Sequence, residues 1–425
     1  MDFLLHHLLR HSADRSPDSE AIASKGRRLT YAEAWAEVTQ LAGGLRELGV
    51  QRDERIGIWL PASVEQALGI FSCSAARAIA VPIHDSLFPR QVEHIVRDAG
   101  IRTLITNRRS WGTAYQSLVE AGISRVILTD DSSPESDGAP HIASWADVVA
   151  IGSANSSLAS LRGTWQLGGT ECDLAAILYT SGSTGRPKGV MLTHANLTAG
   201  ASIVSDYLGI TASDRLLAAL PFSFDAGLNQ LTTAVQQGGS IVIFSFVLAK
   251  QIVRALQDER ITGLAGVPTF WNLLTQSKVF QESQFPALRY ITNTGGAMPQ
   301  STLAILRRTL TQSRIFLMYG LTEAFRSTYL PPDELDRRPT SIGKAIPDTE
   351  ILVINEQGQL CLPGEVGELV HHGPTVSAGY WGQPELTDRV LRPHPFPLPG
   401  VVHPPRVCYS GDLVRADEDG FLYFV

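Results

Sequence analysis

Patterns typical of strands and helices alternate along the first third of the chain at short, regular spacing. The predicted strands and helices are, in order, Ile56–Leu60 (strand), Ser63–Ala78 (helix), Ala80–Ile83 (strand), Arg90–Ala99 (helix) and Thr103–Thr106 (strand). Strands separated by single helices indicate βαβ units, and successive βαβ units build a parallel sheet. This pattern restricts the chain to an α/β fold with a parallel sheet at its centre.

One helix start ahead of this region is well marked. Thr30 is followed three residues later by Glu33, which is the spacing of a capping box. The helix that begins there is predicted to stop near Gly49, because glycine is favoured just beyond a helix C-terminus.

The α/β alternation returns between residues 174 and 330, and it then stops. Strands are predicted at Ala175–Tyr179, Ser240–Phe246, Gly263–Val267 and Arg289–Asn293. After Pro331 helical periodicity disappears, and short apolar runs separated by Gly and Pro are typical of a small antiparallel β region. We therefore expect an α/β protein with two βαβ parallel-sheet subdomains and flanking helices, plus a small distorted antiparallel β-barrel subdomain.

Composition and charge exclude several classes of partner. Hydrophobic residues make up 44% of the 425 residues, enough for large cores, and the net charge is -7. An acidic chain is a poor binder of nucleic acid or of an anionic membrane surface. No run approaches the ~20 apolar residues of a membrane span, and the N-terminus lacks a signal-peptide pattern. The four cysteines are not spaced as pairs, so we expect a cytoplasmic protein without disulfides or a cysteine metal site.

The segment Tyr179–Gly189 is dense in glycine, hydroxyl groups and positive charge, and it directly follows an apolar strand. Its glycines allow close approach of the backbone to a ligand, and its hydroxyls and lysine suit a polyphosphate. It is not a Walker A loop, because Pro187 stands where that motif needs glycine. The predicted phosphate-binding residues are Thr180, Ser181, Gly182, Ser183, Thr184, Gly185 and Lys188.

Five further segments follow this loop in a recognisable order. They are Leu220–Gly227, Thr294–Met298, Met318–Glu323, Gly367–Leu369 with Gly379–Trp381, and Tyr409–Leu413. Together with the loop, they resemble the AMP-forming adenylating superfamily over the whole chain. That superfamily comprises acyl-CoA synthetases, adenylation domains of nonribosomal peptide synthetases, and luciferases.

The resemblance implies a role for each matching residue. Tyr319 would stack on adenine, and Asp412 would accept hydrogen bonds from the ribose hydroxyls. Thr322 would bond the α-phosphate, and Glu323 would hold Mg²⁺, a hard cation that prefers carboxylate oxygen. Lys188, Thr322 and Glu323 form the expected catalytic set. The remaining nucleotide-binding residues are Gly295, Gly296, Ala297, Gly320 and Leu321.

The implied reaction has two halves. A carboxylate attacks the α-phosphorus of ATP and expels pyrophosphate, and the thiol of coenzyme A or of a carrier's pantetheine then displaces AMP. We expect subdomains at 1–165, at 166–332 with the phosphate loop and substrate pocket, and at 333–425. The superfamily's small C-terminal domain, which supplies a further lysine, would follow a hinge beyond residue 425. Without that domain, we expect nucleotide binding but very weak adenylation.

The substrate segment departs from the fatty-acyl and aryl members, many of which carry a histidine there. Asp225 in this segment is similar to the amino-acid-activating branch, where an aspartate pairs with the substrate ammonium group. Arg326 would pair with a second acidic group on the substrate. Alternatively, Asp225 and Arg326 pair with each other or with the backbone. The expected pocket is polar, which suits a polar substrate better than a fatty chain. Its residues are Phe224, Asp225, Asn229, Thr269, Thr294, Met318 and Arg326.

Three interpretations of function remain open at this stage. The first is an acyl-CoA ligase that activates a small carboxylic acid. The second is a stand-alone amino-acid-adenylating enzyme that loads an acyl or peptidyl carrier protein. The third is a nucleotide-binding protein without catalysis of its own.

Overall fold

The computed structural model describes residues 3–130, 140–154, 169–181, 187–396 and 399–425. Three sheets, of eight, nine and five strands, organise this part of the chain. The α/β prediction is confirmed: two sheets are largely parallel and covered by helices, and the third is antiparallel. None of the helices in the described ranges is both long and apolar enough to cross a membrane.

The eight-stranded sheet has the strand order β19-β9-β8-β4-β3-β5-β6-β7. Pairing is parallel from β8 through β7 and antiparallel where β8 meets β9 and β9 meets β19. Its strands are β3 (Arg55–Trp59), β4 (Ile79–Ile83), β5 (Thr103–Thr106), β6 (Arg125–Leu128), β7 (His141–Ser144), β8 (Leu174–Ser181), β9 (Pro187–Thr193) and β19 (Gly379–Tyr380). The first six helices are α1 (Leu5–Arg15), α2 (Tyr31–Glu47), α3 (Val64–Ala76), α4 (Pro89–Ala99), α5 (Arg108–Glu120) and α6 (Trp145–Ala154).

The nine-stranded sheet has the order β16-β15-β14-β13-β12-β10-β11-β1-β2. Its strands are β1 (Glu20–Ser24), β2 (Arg27–Thr30), β10 (Arg215–Ala218), β11 (Ser240–Ile243), β12 (Gly263–Gly266), β13 (Tyr290–Asn293), β14 (Arg314–Leu321), β15 (Ala324–Leu330) and β16 (Lys344–Ala345). The next helices in the chain are α7 (His194–Leu208), α8 (Asp225–Gln237), α9 (Ala249–Asp258), α10 (Pro268–Thr275), α11 (Lys278–Glu282) and α12 (Gln300–Thr309), and a 3₁₀ turn follows at Pro332–Glu334.

The small sheet is antiparallel throughout, with the order β17-β18-β21-β20 and β22 paired to β21. Its strands are β17 (Glu350–Ile354), β18 (Val366–His372), β20 (Leu391–Pro393), β21 (Arg406–Ala416) and β22 (Leu422–Phe424). One helix, α13 (Pro384–Val390), lies in this region, where the sequence pattern showed no helical periodicity. It has seven residues, too short to display a full amphipathic repeat.

Sheet membership differs from the predicted subdomain boundaries in two places. The strand β1 pairs in parallel with β11, with Ile22 opposite Ile241, so the start of the chain joins the nine-stranded sheet. The strand β8 pairs with β4 through Ala176 and Ala80, so the strands that flank the phosphate loop join the eight-stranded sheet. Local patterns predict a strand, whereas its partner depends on tertiary packing.

The predicted start of α2 matches the structure. The Thr30 side chain accepts a hydrogen bond from the Glu33 amide, and the Glu33 carboxylate accepts one from the Thr30 amide at 2.8 Å. These two bonds satisfy amide groups that have no partner within the helix. The helix ends at Glu47, and Gly49 follows with φ 82°.

A single apolar core connects the two large sheets. It contains Ile58 of β3 and Leu178 of β8 from one sheet, and Ile241 of β11 from the other. Helices α1, α2, α3, α7 and α8 contribute the residues between them. The functional residues of both sheets are thereby held in one packed body.

We expect acid to destabilise the fold through His194. This ring is buried at the start of α7 and accepts a hydrogen bond from the Leu5 amide at 3.1 Å, and burial lowers its pKa to about 4. The unfolded chain binds the proton with the ordinary pKa of 6.5. The contribution of His194 to the free energy of unfolding is therefore fully present above about pH 6.5. It is lost as the pH falls towards 4, by up to about 3 kcal/mol.

Urea unfolding at pH 7 and pH 4.5 measures this loss. The variant His194→Gln keeps an acceptor for the Leu5 amide but cannot titrate, so its midpoint should depend less on pH. An identical pH dependence in the two proteins would show that His194 is not responsible.

Candidate active site

The hairpin between β14 and β15 contains the segment Met318–Glu323, one of the segments that resemble the adenylating superfamily. Thr322 and Glu323 form its two-residue turn, and both are half-buried. The strand register is irregular at Gly320, where a Cβ atom would lie 2.8 Å from the Cα of Arg326. Arg326 itself has φ 65°, in the left-handed region that non-glycine residues seldom adopt. This distortion separates Tyr319, which lines one cavity, from Arg326, which lines another.

The first cavity has a volume of about 560 Å³, within the usual range of ligand pockets. Gly295 has φ 73°, so its backbone conformation favours glycine. Most of the predicted adenine-side residues meet at this cavity. Its lining includes Asn293, Gly295, Gly296, Ala297, Met298, Leu317, Met318, Tyr319, Gly320, Ser341, Ile342 and Phe424.

The predicted adenine and ribose residues are in direct contact. The Tyr319 hydroxyl donates a hydrogen bond to the Asp412 carboxylate at 2.6 Å, across 93 residues of sequence. Burial, together with this carboxylate, raises the pKa of Tyr319, so the phenol stays protonated. The Phe424 ring meets the Tyr319 ring edge-on at 5.4 Å between centroids. A flat aromatic surface and an acceptor carboxylate therefore lie side by side, as a nucleoside requires.

Asn293 has an unsatisfied acceptor at the same cavity. Its amide nitrogen donates to the Gly296 carbonyl at 2.9 Å, whereas its buried Oδ1 has no hydrogen-bond partner among the described residues. Buried polar atoms are normally paired with protein or water, so this acceptor is available to a water molecule or to a ligand donor at the cavity. The exocyclic amine of adenine is such a donor.

The strands that flank the phosphate loop are held closely together. Thr180 lies opposite Lys188 where β8 and β9 pair, and both residues are half-buried. Gly189 has no room for a side chain, because a Cβ atom there would lie 2.7 Å from the Ile177 side chain. Ser181 ends β8. The predicted residues Gly182, Ser183, Thr184 and Gly185 lie outside the described residues.

Glu323 is positioned by a residue that the sequence did not single out for this role. The Tyr380 hydroxyl donates to the Glu323 carboxylate at 2.5 Å. Tyr380 lies on β19, which pairs with β9 beyond the phosphate loop. Burial and the Glu323 carboxylate raise the pKa of Tyr380, so it stays protonated as the donor. Through Tyr380 and β19, Glu323 is thereby linked to β9, the strand that carries Lys188.

Asp225 lies opposite Arg326, and Arg326 lines the second cavity. The Arg326 Nη1 lies 4.0 Å from the Asp225 Oδ2 and donates to the Thr294 hydroxyl at 3.0 Å. Only 5% of the Arg326 side chain and 19% of the Asp225 side chain are exposed. The Arg326 Nε is buried without a partner among the described residues. At 4.0 Å, the two charged groups are too far apart for a direct hydrogen bond.

The cavity next to Arg326 is narrow, with a volume of about 30 Å³. Of the predicted pocket residues, Asn229 and Met318 line it with Arg326. The Gln230 side chain also lines it, and its Oε1 is another buried acceptor without a partner in the described ranges. The cavity is lined mostly by apolar residues, with a few polar side chains among them. So small a space suits a short group and excludes a long acyl chain in this conformation.

Four predicted pocket residues do not line this cavity. Asp225 and Thr294 are next to Arg326, whereas Thr269 and Phe224 lie elsewhere. Thr269 is exposed in the first turn of α10, and Phe224 is 47% exposed at the start of α8. The Phe224 ring packs 5.5 Å from the ring of His84 instead. Neither residue lines the cavity next to Arg326.

The residues that the sequence missed include four whose contacts are described above: Tyr380, Asn293, Gln230 and Phe424. Three of them adjoin predicted segments, since Tyr380 is in the Gly379–Trp381 motif and Asn293 precedes Thr294. Gln230 follows Asn229 by one residue. Their position next to a recognised motif was the only indication that the sequence offered for these three residues. The contacts that they make depend on tertiary packing, which the sequence pattern does not show.

Residues 9–381 match the AMP-binding enzyme family, and the chain belongs to that family. It is similar to feruloyl-CoA synthase of Amycolatopsis sp, with 29% identity over 97% of this chain and 76% of the relative. It is also similar to tyrocidine synthase 1 of Brevibacillus parabrevis, with 28% identity over 99% of this chain and 36% of the relative. These findings support an adenylate-forming ligase.

Solved structures of VinN share the fold. The crystal structure of VinN superposes with a TM-score of 0.84 at 30% identity and covers 99% of this chain and 98% of that one. The structure of VinN in complex with L-aspartate has a TM-score of 0.82 at 28% identity, and each chain is covered fully.

Proposed function

We propose that this chain activates an amino acid that carries a second carboxylate, by forming its acyl-adenylate from ATP. The observation that carries the proposal is the charge pair of the half-buried Asp225 and the buried Arg326, 4.0 Å apart beside a small cavity that Arg326 lines. An ammonium group would pair with Asp225, and the second carboxylate with Arg326.

Charge and burial favour such a ligand over a monocarboxylic acid that has no ammonium group. A buried charge is stable only when it is paired and hydrogen-bonded. Arg326 has one bond to Thr294 and an unsatisfied Nε, so it has spare donors for a carboxylate. The complex of VinN with L-aspartate supports this assignment, because L-aspartate carries an ammonium group and two carboxylates.

The nucleotide is proposed to bind with adenine in the cavity of about 560 Å³. Tyr319 would stack on the base, and the Asn293 Oδ1 would accept from its exocyclic amine. Asp412 would accept hydrogen bonds from the ribose hydroxyls. To do so it would share or exchange its present bond from Tyr319.

The first chemical step would be displacement at the α-phosphorus. A carboxylate oxygen of the substrate forms the new P–O bond as the bond to pyrophosphate breaks. Lys188 and the Thr322 hydroxyl would bind phosphate oxygens, which positions the reactants and offsets their charge. The half-buried Glu323 carboxylate fits Mg²⁺, which would neutralise phosphate charge.

The acceptor in the second step is proposed to be a thiol, either of coenzyme A or of a carrier's pantetheine. Its sulfur would attack the acyl carbon, and AMP would leave. Feruloyl-CoA synthase and tyrocidine synthase 1 are both similar to this chain, so the acceptor is tested by supplying each thiol to the preformed adenylate.

Amino-acid-dependent exchange of pyrophosphate into ATP tests the proposed first step. A panel would contain amino dicarboxylic acids, monocarboxylic amino acids, aryl acids and fatty acids at equal concentration. Amino dicarboxylic acids should give the fastest exchange. Faster exchange with aryl or fatty acids would contradict the proposed substrate class but would still support an adenylate-forming ligase.

We expect Tyr380→Phe to weaken the use of Mg²⁺ rather than ATP binding. The variant removes the hydroxyl that donates to Glu323 at 2.5 Å, and such outer partners of a metal ligand change metal affinity by about 10- to 100-fold. The Mg²⁺ concentration for half-maximal exchange should rise by about tenfold. The control is Tyr115→Phe, which changes an exposed tyrosine and should leave the Mg²⁺ requirement as it is in the parent. An unchanged Mg²⁺ requirement in Tyr380→Phe would show that the Tyr380 hydroxyl does not support metal binding by Glu323.

A further inference from the structure

Two histidines and a glutamate, none of them among the proposed active-site residues, converge on the small antiparallel sheet. Glu350 begins β17 and lies directly opposite His372, the last residue of β18. His394 follows the end of β20. The three side chains come from segments separated by 22 and 44 residues from Glu350, so the fold alone brings them together.

The distances between the three side chains suit a metal ion. The Glu350 Oε2 lies 3.1 Å from the His372 Nδ1 and 3.3 Å from the His394 Nε2. One ligand atom from each residue lies within 4.8 Å of the others. Zn²⁺–N bonds of about 2.0–2.1 Å place tetrahedral ligands about 3.3–3.4 Å apart. Two of the three edges already have this length to within about 0.3 Å.

We propose that Glu350, His372 and His394 bind Zn²⁺ or a chemically similar divalent transition-metal ion, with water completing the coordination. Two imidazoles and one carboxylate select such ions over Mg²⁺ and Ca²⁺, which prefer oxygen ligands only. The exposure of Glu350, at 53%, leaves an entry path for the ion.

Metal binding requires a proton to move on each imidazole ring. In the structure the His394 Nδ1 accepts from the Phe396 amide at 3.1 Å, so its Nε2 carries the proton and donates to Glu350. Coordination through Nε2 requires the proton to lie on Nδ1 instead, which breaks the hydrogen bond from the Phe396 amide. The His394 amide bond to the Pro405 carbonyl, at 2.9 Å, is unaffected and keeps the residue in place.

The bound ion would join β17, β18 and the segment after β20. These strands belong to the same sheet as β21, which carries Asp412. Any ligand that binds the folded state and not the unfolded state raises apparent stability. Zn²⁺ should therefore raise the temperature of unfolding, and Mg²⁺ at the same concentration should not do so through this site.

Titration of the metal-free chain with Zn²⁺, followed by calorimetry, tests the site. Co²⁺ absorption in the visible range serves as a second probe of coordination. The expected result is one Zn²⁺ per chain at this site, and binding should weaken at least about tenfold in His372→Gln and in His394→Gln. The matched control is His403→Gln, an exposed histidine in the same segment, which should bind as the parent does.

The double variant His372→Gln/His394→Gln provides the decisive comparison. The proposal would be overturned if this variant kept the parent's Zn²⁺ affinity, Co²⁺ spectrum and Zn²⁺-induced thermal shift. Absence of Zn²⁺ binding to the parent chain would overturn it as well. Circular dichroism of the metal-free variants confirms that they fold. Because these readouts do not involve ATP or substrate, they are independent of the proposed ligase reaction.

Discussion

Replacing Asp225 with asparagine should lower kcat/KM for an amino acid substrate by about 30- to 3,000-fold and leave the KM for ATP nearly unchanged. Removing one partner of a buried charged contact costs about 2–5 kcal/mol, and each 1.4 kcal/mol is tenfold. Asp225 is the half-buried carboxylate opposite the buried Arg326, so the substrate ammonium would lose its counter-charge. Steady-state pyrophosphate exchange with varied amino acid measures the effect.

Two comparisons separate this loss from a general loss of charge or of folding. Asp85→Asn removes an acid whose side chain is 48% exposed, and it should keep parental kinetics. A dicarboxylic acid without the amino group should be affected far less by Asp225→Asn than the amino acid is. Equal losses for both substrates would mean that Asp225 orders the pocket through Arg326 and does not bind the ammonium group.

Replacing Gly343 with alanine should strongly destabilise the chain and abolish ATP binding. Gly343 has φ 90°, and a Cβ atom there would lie 1.9 Å from the Tyr329 carbonyl oxygen. The dihedral costs about 1–2 kcal/mol and overpacking about 1–3 kcal/mol, giving about 2–5 kcal/mol. Ser341 and Ile342, which precede it, line the proposed nucleotide cavity, so relief of the clash would deform that wall.

The matched control is Gly358→Ala. Gly358 has a similar φ of 75°, but a Cβ atom there would have no neighbour within 4 Å. This variant should lose only the dihedral contribution, about 1–2 kcal/mol, and should bind ATP as the parent does. Thermal unfolding and ATP titration compare the two variants. Equal destabilisation of both would show that the contact with Tyr329 is not the cause.

The local elements of this fold could be predicted from the sequence, whereas their partners could not. The capping box of Thr30 and Glu33 uses only neighbouring residues, and the structure contains it. The pairing of Ile22 with Ile241 joins strands more than 200 residues apart, and no short pattern encodes it. The same limit applies to β8, whose position beside β4 assigns the phosphate-loop strands to the other sheet.

The candidate site shows the same division. Motif order alone indicated Tyr319 and Asp412, which lie 2.6 Å apart in the structure. It did not indicate that Tyr380 holds the Glu323 carboxylate, because that contact depends on how β19 packs beside the hairpin of β14 and β15. Thr269 was expected in the pocket but is exposed, since its position in the turn of α10 follows from the helix start at Pro268.

The most direct test of the proposed substrate class is calorimetric binding of two acyl-adenylate analogues in which a sulfamoyl group replaces the phosphate. One analogue carries an amino dicarboxylic acyl group, and the other carries the same group without its ammonium. The pocket built on Asp225 and Arg326 predicts tighter binding of the amino analogue by at least about 30-fold. Equal affinity, or tighter binding of the analogue without the ammonium, would contradict it.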